Sequence, residues 1–525
     1  MTDSKPRKTL TLARKTAAPG GDDTDGAARR KRSGGRARQV AQAQREHDKD
    51  AATLPSRSAG RAGPAGRSAG AQASAELPRK TRHKRQEERS DDKHRPAPLR
   101  DLGRRSSARD DDDPGVKKNA GAQARTASDP RVVRRPSARR TSSRRGNETF
   151  KVFAPCPHGL EDALHAELDA LGYHGLRKGR AGCHFEADWN GVLRANLYSR
   201  LATRVLVQLA HAPVRTEDDI LALARDTEWE RWFGPEHTLR VDTSAVRSPM
   251  QSLQYCNLRA KDGICDRLRE HEGARPSIDT VRPDARVHLF LDENSATLYL
   301  DTSGESLFKR GWRLEKGEAP LRENLAAGLL ALADWNPSAP LMDPFCGSGT
   351  ILIEAAWIAL GVPPGIWRPF GFERLRDHDS RHWRDIKDDA RSRIATALDA
   401  PLIGHDIDPR AIAAAEGNRE RAMLTPDTIR FSTGDARQVT PDCGPGWLVS
   451  NPPYGERMED DPSFWPEWAE NLKRHYAGWK VNVITNDLEL PARLRLKPKR
   501  RHPVHNGALD CRLFTFEMVE KGYRG

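Results

Sequence analysis

The first 148 residues contain no phenylalanine, tyrosine or tryptophan, although the whole chain of 525 residues has 13, 7 and 12 of them. The same stretch holds 38 Lys and Arg against 19 Asp and Glu, a net charge of +19, whereas residues 149–525 carry a net charge of −5. A segment this highly charged and without aromatic residues cannot bury enough apolar surface to offset its conformational entropy. The composition excludes a protein folded from end to end, and it predicts a disordered basic tail over 1–148.

Other absences exclude further classes of protein. No run of about 18 apolar residues is present, so no membrane-spanning helix is predicted, and no apolar segment typical of a secretory signal follows the N-terminus. Seven cysteines are scattered singly without a CxxC pair, which argues against a zinc site and against a disulfide framework. The acidic run from Asp110 to Asp113 is unlike an acid-poor transit peptide. We therefore predict a cytoplasmic protein with no bound metal and no membrane association.

The tail contains clusters of arginine interleaved with Gly, Pro and Ser, among them Arg134, Arg135, Arg139, Arg140, Arg144 and Arg145. Such clusters bind phosphate backbones through charge and counterion release, without reading sequence. We therefore predict that the tail contacts nucleic acid. The alternative is a solvated linker that keeps the folded part soluble.

Apolar periodicity over residues 149–302 predicts a small α+β region. The predicted helices are Gly159–Leu168, Trp189–Leu201 and Tyr255–Leu268, and the predicted strands are Thr149–Ala154, Gly182–Ala187, Arg286–Asp292 and Ala296–Asp301. From about Ser303 onward, strands alternate with helices, which is typical of a doubly wound parallel sheet. Asn506-Gly507 then predicts a closing antiparallel hairpin. An insertion over 361–400 includes a predicted helix, Trp383–Leu398, and we assign it no function.

The strongest motif is the segment Asp343-Pro-Phe-Cys-Gly-Ser-Gly-Thr350, where a predicted strand ends, a glycine-rich turn follows and a helix begins. Glycines let the backbone approach a ligand closely, and the helix N-terminus offers unpaired N–H groups. Further along, Asp406 ends a second predicted strand, where it can accept hydrogen bonds from ribose hydroxyls. Asp408 is predicted to cap the next helix. Asp435, after a third strand, can accept from an adenine amino group or cap a helix.

A fourth predicted strand ends at Asn451-Pro452-Pro453-Tyr454. The two prolines stiffen the turn and remove backbone donors, so that the Asn451 side-chain oxygen and the Pro452 carbonyl can accept hydrogen bonds from an NH2 group. The Tyr454 ring can stack on a planar substrate. Such a turn holds a planar amine and directs its nitrogen at an electrophile, which provides rate by proximity.

These two turns resemble motifs I and IV of class I S-adenosylmethionine-dependent amino-methyltransferases. With Leu307–Arg313, Ala319–Ala327 and Asn506–Cys511, the sequence resembles the bacterial THUMP-domain RNA methyltransferases, and is similar to the guanine-N2 half of the large-subunit ribosomal RNA methyltransferases K/L. The resemblance covers residues 150–525. It implies a ferredoxin-like segment over 149–189, a THUMP RNA-binding domain over 190–302 and a Rossmann-like methyltransferase domain over 303–525.

The resemblance also implies roles for single residues. Those expected to line the methionine and ribose parts of the cofactor are Asp343, Phe345, Gly347 and Gly349. Asp406 is expected to hold the ribose, and Asp435 with Ala436 the adenine. The target guanine would be held by Asn451, Pro452, Pro453 and Tyr454.

The implied activity is methyl transfer from S-adenosyl-L-methionine to the exocyclic N2 of a guanine, in 23S ribosomal RNA or a large-subunit precursor. Four alternatives stay open: a tRNA guanine, adenine-N6 in RNA or DNA, a glutamine amide in a protein, and a non-catalytic RNA-binding assembly factor. The α+β region argues against the protein substrate. The series of motifs disfavours a purely binding protein, which needs neither a cofactor turn nor an amine-holding turn.

Overall fold

The computed structural model describes residues 148–314, 321–453, 461 and 463–519. The predicted tail, apart from Glu148, lies outside the described residues, as does Tyr454. Among the described residues, no helix is both long enough and apolar enough to span a bilayer.

The first part of the described chain is built on one eight-stranded sheet. Its elements are β1 (Phe150–Pro155), α1 (Glu161–Ala170), β2 (His174–Gly179), β3 (Gly182–Ala187), α2 (Trp189–Tyr198), β4 (Leu206–Pro213), α3 (Glu217–Asp226), β5 (Thr238–Ala245), α4 (Leu253–Glu272), β6 (Ser277–Ile278), β7 (Ala285–Leu291) and β8 (Ser295–Asp301). The strand order is β2-β3-β1-β4-β8-β7-β5-β6. All pairs are antiparallel except β5 with β6 and with β7. Strand β4 pairs with β1 on one side and with β8 on the other, so the sheet is continuous from the first strand to the eighth.

Local sequence explains where the helices of this part begin and end. Thr216 caps α3 by accepting from the backbone N–H of Asp219, whose carboxylate accepts from the Thr216 N–H in return. Helix α4 is capped by Ser252 and ends at Gly273, which has a φ of 83°. Each cap satisfies N–H or C=O groups that a helix end leaves without an intrahelical partner.

The second part is a doubly wound α/β domain. Its elements are α5 (Glu323–Leu332), β9 (Leu341–Asp343), α6 (Thr350–Ala359), α7 (Ser380–Ser392), β10 (Leu402–Asp406), α8 (Pro409–Arg421), β11 (Arg430–Thr433), β12 (Trp447–Ser450), α9 (Phe464–His475), β13 (Lys480–Thr485), α10 (Leu490–Leu494), β14 (Arg500–Asn506) and β15 (Leu509–Glu517). Short 3₁₀ helices lie at Trp229–Arg231, Gly371–Arg374 and Pro426–Thr428.

The sheet of this domain has the order β11-β10-β9-β12-β13-β15-β14. Its first five strands are parallel, and β15 runs antiparallel to β13 and to β14. The predicted fold class, an α+β region followed by a Rossmann-like domain with a closing hairpin, is therefore confirmed. The chain passes to opposite sides of β9 when it forms β10 and β12, and open α/β sheets bind their ligands at such a point, outside the carboxyl ends of the strands.

Many contacts join the parts, and two of them lie at the C-terminal hairpin and at the helix that follows the glycine-rich turn. The C-terminal hairpin lies against the loop after β1, where His505 N–H donates to the His158 carbonyl over 3.0 Å. Gly159 in that loop has a φ of 96°, and a Cβ there would lie 2.1 Å from the carbonyl oxygen of Pro503. The approach therefore depends on glycine.

The second contact is a buried ion pair behind the glycine-rich turn. Arg310 Nε lies 3.2 Å from Glu354 Oε1 on α6, and its other nitrogens donate to the carbonyls of Leu307 and Arg200. Arg200 Nη1 also lies 3.7 Å from Glu354 Oε2, and breaking a buried charge pair of this kind is destabilising because a buried charge loses compensation. The pair fixes α6 to the segment that follows the eight-stranded sheet.

The predicted helix Trp383–Leu398 is wrong at both ends. Helix α7 begins earlier, because the Asp379 carboxylate accepts from the N–H groups of Arg381 and His382. It ends at Ser392, and the Ala395 N–H then donates to the Leu360 carbonyl, which takes the chain out of the helical path.

Candidate active site

The carboxyl ends of four parallel strands meet at one cavity of about 830 Å³. Asp343 ends β9, Asp406 ends β10, Asp435 follows β11 and Asn451 follows β12, and all four line this cavity. Phe345, Gly347, Ala436, Pro452 and Pro453 line it too. The volume lies within the range of small-molecule sites, roughly 300–1,000 Å³.

The glycine-rich turn after β9 forms the floor of the cavity. Gly347 has a φ of 53°, and a Cβ at that position would meet nothing within 4 Å. Its N–H donates to Asp406 Oδ2 over 2.9 Å, so the second strand end holds the turn of the first. The result is a cradle of backbone that faces open space.

Gly349 was expected to line the cofactor, but it lies outside the cavity lining. It precedes α6 with a φ of 80°, and a Cβ there would lie 2.9 Å from the ring of Phe431 on β11. Its missing side chain serves the packing of the turn against the neighbouring strand.

Asp343 is the most deeply buried acid of the site, with 1% of its surface exposed. Its Oδ1 accepts from the Phe345 N–H over 3.1 Å and from the Ser450 hydroxyl over 2.5 Å. Burial raises the pKa of Asp343 to about 7, and the nearby Asp406 charge adds to this, while the two hydrogen bonds oppose it. The carboxyl therefore changes charge near neutral pH.

The two aspartates at the end of β10 make different contacts, and the predicted helix cap at Asp408 is confirmed. Asp408 caps α8 by accepting from the Arg410 N–H over 2.9 Å. Asp406 accepts from the N–H groups of Gly347 and Asp408. Because Asp408 caps the helix, the Asp406 carboxylate is not needed as a cap and lines the cavity.

Asp435 is held by a cation that the sequence reading did not identify. The Arg437 guanidinium donates to both Asp435 oxygens, at 2.6 Å for the shortest contact, and also contacts Asp461 and Glu467. The Arg437 side chain holds the pKa of Asp435 below its usual range. Asp435 is therefore an ionised acceptor at the cavity wall.

The turn after β12 brings Asn451 to the cavity with an unused acceptor. Asn451 Oδ1 is buried and has no hydrogen-bond partner. Leaving a buried polar atom without a partner costs about 1–3 kcal/mol. A donor that entered the cavity would recover that energy. Pro452 is buried beside it and Pro453 is exposed.

Sequence reasoning missed several other residues of the cavity, namely Leu321, Thr350, Ile407, Arg437, Asp461, Phe464, Asn486 and Leu509. Phe464 lies 6.0 Å from Phe345 between ring centroids, and Trp468 lies 5.1 Å from the same ring. Asn486 follows the fifth parallel strand, so the strand-end rule used for the other four could have found it. No signal in the sequence could have assigned Leu509 to the site, because it lies there through the position of the C-terminal hairpin.

This arrangement combines a backbone cradle, the carboxylates of Asp406 and Asp435, the buried Asp343 carboxyl with its raised pKa, and one unpaired amide oxygen. It can hold a cationic, hydroxyl-bearing ligand on one side and a planar amine on the other. Within the described ranges, no group of three or more His, Cys, Asp or Glu is arranged to hold a metal ion.

Comparisons with known proteins match three consecutive domains. Residues 151–206 match the RlmL ferredoxin-like domain, 214–301 the THUMP domain and 310–515 the RMKL-like methyltransferase domain. Ribosomal RNA large subunit methyltransferase K/L of Methylococcus capsulatus is 41% identical over 385 residues, which are 71% of this chain and 52% of that protein. The K/L protein of Syntrophotalea carbinolica is 39% identical, over 72% and 55% of the two chains. The chain thus spans about half the length of these curated relatives.

Solved structures agree over the same part of the chain. SMU.472, whose crystal structure is a complex with SAH, matches with a TM-score of 0.66 and 26% identity, over 72% of this chain and all of that one. A protein from Listeria monocytogenes, described as a predicted N6-adenine-specific DNA methylase, matches with a TM-score of 0.65 and 30% identity, over 72% and 98%.

Proposed function

Since the chain belongs to the family of methyltransferases that join an RlmL ferredoxin-like domain, a THUMP domain and an RMKL-like methyltransferase domain, we propose that it is an S-adenosylmethionine-dependent RNA methyltransferase. Its proposed target is the exocyclic N2 of a guanine in 23S ribosomal RNA or a large-subunit precursor. The observation that carries the proposal is the meeting of the cofactor turn and the amine-holding turn at one cavity.

The residues present fit the cofactor. The open cradle at Gly347 would hold the methionine part, beside Asp343 and Phe345. The Asp406 carboxylate can accept from ribose hydroxyls, and Asp435 with Ala436 would hold the adenine. Gly349 would act on the cofactor only by shaping the turn. Bound S-adenosylmethionine supplies an electrophilic methyl group on a sulfonium.

The turn after β12 would hold the target base. The Asn451 side-chain oxygen and the Pro452 carbonyl would accept hydrogen bonds from the guanine amino group. Its lone pair is delocalised into the ring, so these bonds would favour a more pyramidal nitrogen and stabilise the developing positive charge. The rigid Pro453 and, outside the described residues, the Tyr454 ring would position the base. A base within helical RNA would first leave its stack, at a cost of a few kcal/mol.

The choice of large-subunit ribosomal RNA is supported by the names of the relatives, which are large-subunit ribosomal RNA methyltransferases. The choice of guanine N2 rests on the resemblance of the two turns to the guanine-N2 half of that family. Adenine-N6 is the second candidate, favoured by the description of the Listeria monocytogenes protein and by a turn that can hold any planar amine. A tRNA guanine would need no change in the site. The THUMP match supports RNA as the partner. Because the proposed substrate is ribosomal RNA, we also propose that the chain works in the cytoplasm.

Methyl transfer from labelled S-adenosylmethionine to total RNA tests the proposal, with size fractionation and nucleoside analysis of the product. N2-methylguanosine in large-subunit RNA is the expected result. Label in tRNA would show that the reaction is as proposed but that the substrate is tRNA. N6-methyladenosine would show that the target base is adenine and not guanine. Absence of label from both deproteinised RNA and ribosomal particles would overturn the proposal.

A further inference from the structure

The eight-stranded sheet has two unlike faces. Along β7, Val287, Leu289 and Leu291 are fully buried, while the alternate residues Arg286, His288 and Phe290 keep part of their surface exposed. Helices α3 and α4 pack on strands β4 and β5 of this sheet, and they cover the first of these faces. We call the second one the open face.

Aromatic rings form a row on the open face, across strands β3, β1 and β8. The centroids of His184 and Phe153 are 4.6 Å apart with an angle of 33° between the ring planes, and those of Phe153 and Tyr299 are 6.2 Å apart at 41°. His184 and Phe153 are directly opposed in the β1–β3 register. Both are half-buried, whereas Tyr299 is 6% exposed and forms the base of the row. We call these three residues the ring strip.

Cations flank the ring strip. Arg177 is directly opposite His184 in the register of β2 and β3 and is exposed. Lys151 lies two residues before Phe153 on the same face and is also exposed. Burial and the Arg177 charge both lower the pKa of His184, so its ring is neutral at neutral pH.

The acidic groups of this face are mostly neutralised. Asp242 lies between Arg240 and Arg286, at 2.8 Å and 2.7 Å, and the buried Asp301 is paired with Arg204 and with His288. Glu186, opposite Lys151 in the β1–β3 register, is an exposed carboxylate on the same face. The charge that a ligand would meet beside the rings is therefore positive on balance.

We propose that the open face is a second RNA site, which stacks one or two unpaired bases on His184 and Phe153 while Lys151 and Arg177 contact the adjoining phosphates. Sheets that bind single strands use this combination of stacking rings and flanking cations, because every base has a π-face. The site rests on the proposed function for its ligand class, and it is separate from the cavity that would hold the target base. It would retain a single-stranded segment of the RNA outside the cavity.

The test is fluorescence anisotropy of the full chain with a labelled oligouridine of ten nucleotides and with a labelled RNA duplex of similar length, over a range of salt concentrations. Phe153→Leu keeps the apolar volume and removes the ring. It should weaken oligouridine binding roughly tenfold and leave the duplex affinity and the salt slope unchanged. Lys151→Gln should instead reduce the salt slope by about one.

Tyr255→Leu is the matched control, because it removes an exposed ring, 48% accessible, from the N-terminal turn of α4. It should bind as the wild type does. Equal affinity of wild type and Phe153→Leu for oligouridine would overturn the proposal, as would a Tyr255→Leu loss of the same size.

Should Phe153→Leu fail to fold, ultraviolet cross-linking of the wild-type chain to oligouridine decides the matter. Adducts within residues 150–155 or 182–187 support the ring strip, and adducts confined to other peptides overturn it. Neither readout requires methyl transfer. A chain that binds through the strip but methylates no RNA would refute the proposed activity alone.

Discussion

The Ser450 hydroxyl donates a hydrogen bond to Asp343 Oδ1 over 2.5 Å, and it thereby joins the last residue of β12 to the last residue of β9. Asp343 opens the proposed cofactor turn, and Ser450 immediately precedes Asn451 in the proposed base-holding turn. The two turns are thus connected through a buried side-chain contact, so the charge of Asp343 can influence both.

We expect the affinity for S-adenosylmethionine to rise between about pH 6 and pH 8. Burial raises the pKa of Asp343 to about 7, so its carboxyl is mostly neutral at the acid end of this range and ionised at the other. The ligand carries sulfonium and ammonium charges, which attract a carboxylate and not a neutral acid. Isothermal titration calorimetry at pH 6, 7 and 8 measures the trend. Asp343→Asn keeps the acceptor oxygen and should give a flat profile; a flat wild-type profile would contradict the idea.

The raised pKa of Asp343 also predicts that the stability of the fold decreases as the pH rises, whereas the cofactor affinity increases. Its native pKa lies above the ordinary value of 3.8, so between about pH 4 and 7 the native state holds a proton that the unfolded chain has released. The contribution of Asp343 to the free energy of unfolding is complete below about pH 4. It falls by as much as about 4 kcal/mol as the pH rises from there through 7. Urea unfolding should show Asp343→Asn gaining stability relative to wild type from pH 5 to pH 8. A constant difference would refute this.

Asn451→Ala should reduce kcat by at least about 100-fold while changing the affinity for S-adenosylmethionine less than about threefold. The reason is that Asn451 Oδ1, buried and unpaired, is proposed to act on the amine and not on the cofactor. Single-turnover kinetics and calorimetry separate the two effects. Asn336→Ala, at an exposed position outside the cavity, is the control and should match the wild type. Equal losses of rate and cofactor affinity in Asn451→Ala would reject the assignment.

Asp435→Ala should weaken binding of S-adenosylhomocysteine about tenfold and leave binding of its inosine analogue nearly unchanged. The analogue lacks the adenine amino group, so it cannot donate to the Asp435 carboxylate. Competition against labelled S-adenosylmethionine gives both constants for wild type and variant. A parallel loss for the two ligands would show that Asp435 acts by holding Arg437 instead of reading the adenine.

Gly159→Ala should lower the melting temperature by several degrees more than Gly172→Ala does. Both glycines have positive φ angles, 96° and 84°, so both substitutions impose backbone strain. A Cβ at Gly172 would meet nothing within 4 Å, whereas one at Gly159 would overlap the Pro503 carbonyl oxygen. The difference between the variants therefore reports the contact between the hairpin and the first loop. Differential scanning calorimetry measures it, and equal shifts would mean that this contact contributes little.

Much of the fold follows from periodicity and turn chemistry in the sequence. The strands Gly182–Ala187 and Ser295–Asp301 lie where the apolar pattern predicts them. Asn506-Gly507 correctly marks the hairpin between β14 and β15. Helix ends were less accurate: the predicted helix from Trp189 extends to Leu201, but α2 ends at Tyr198, because Ser199 and Arg200 bond the Glu167 carboxylate instead.

The candidate site was predictable wherever a residue follows a parallel strand, since all such ends lie at one edge of the sheet. Asp343, Asp406, Asp435 and Asn451 meet for that reason. Arg437 and Leu509 were not predictable, because their places depend on a side-chain ion pair and on the bend of a hairpin. The roles of all these residues remain predictions until the variants are measured.

The continuity of the eight-stranded sheet decides which pieces of this protein can be exchanged. Strand β4, Leu206–Pro213, lies almost entirely between the segments that match the ferredoxin-like and THUMP models, yet it is hydrogen-bonded to both halves. A fragment cut at residue 214 would leave β8 with a bare edge, which is prone to intermolecular pairing. Residues 150–301 therefore constitute the smallest transplantable unit of this region, and a chimera with a foreign THUMP domain would have to replace both halves together.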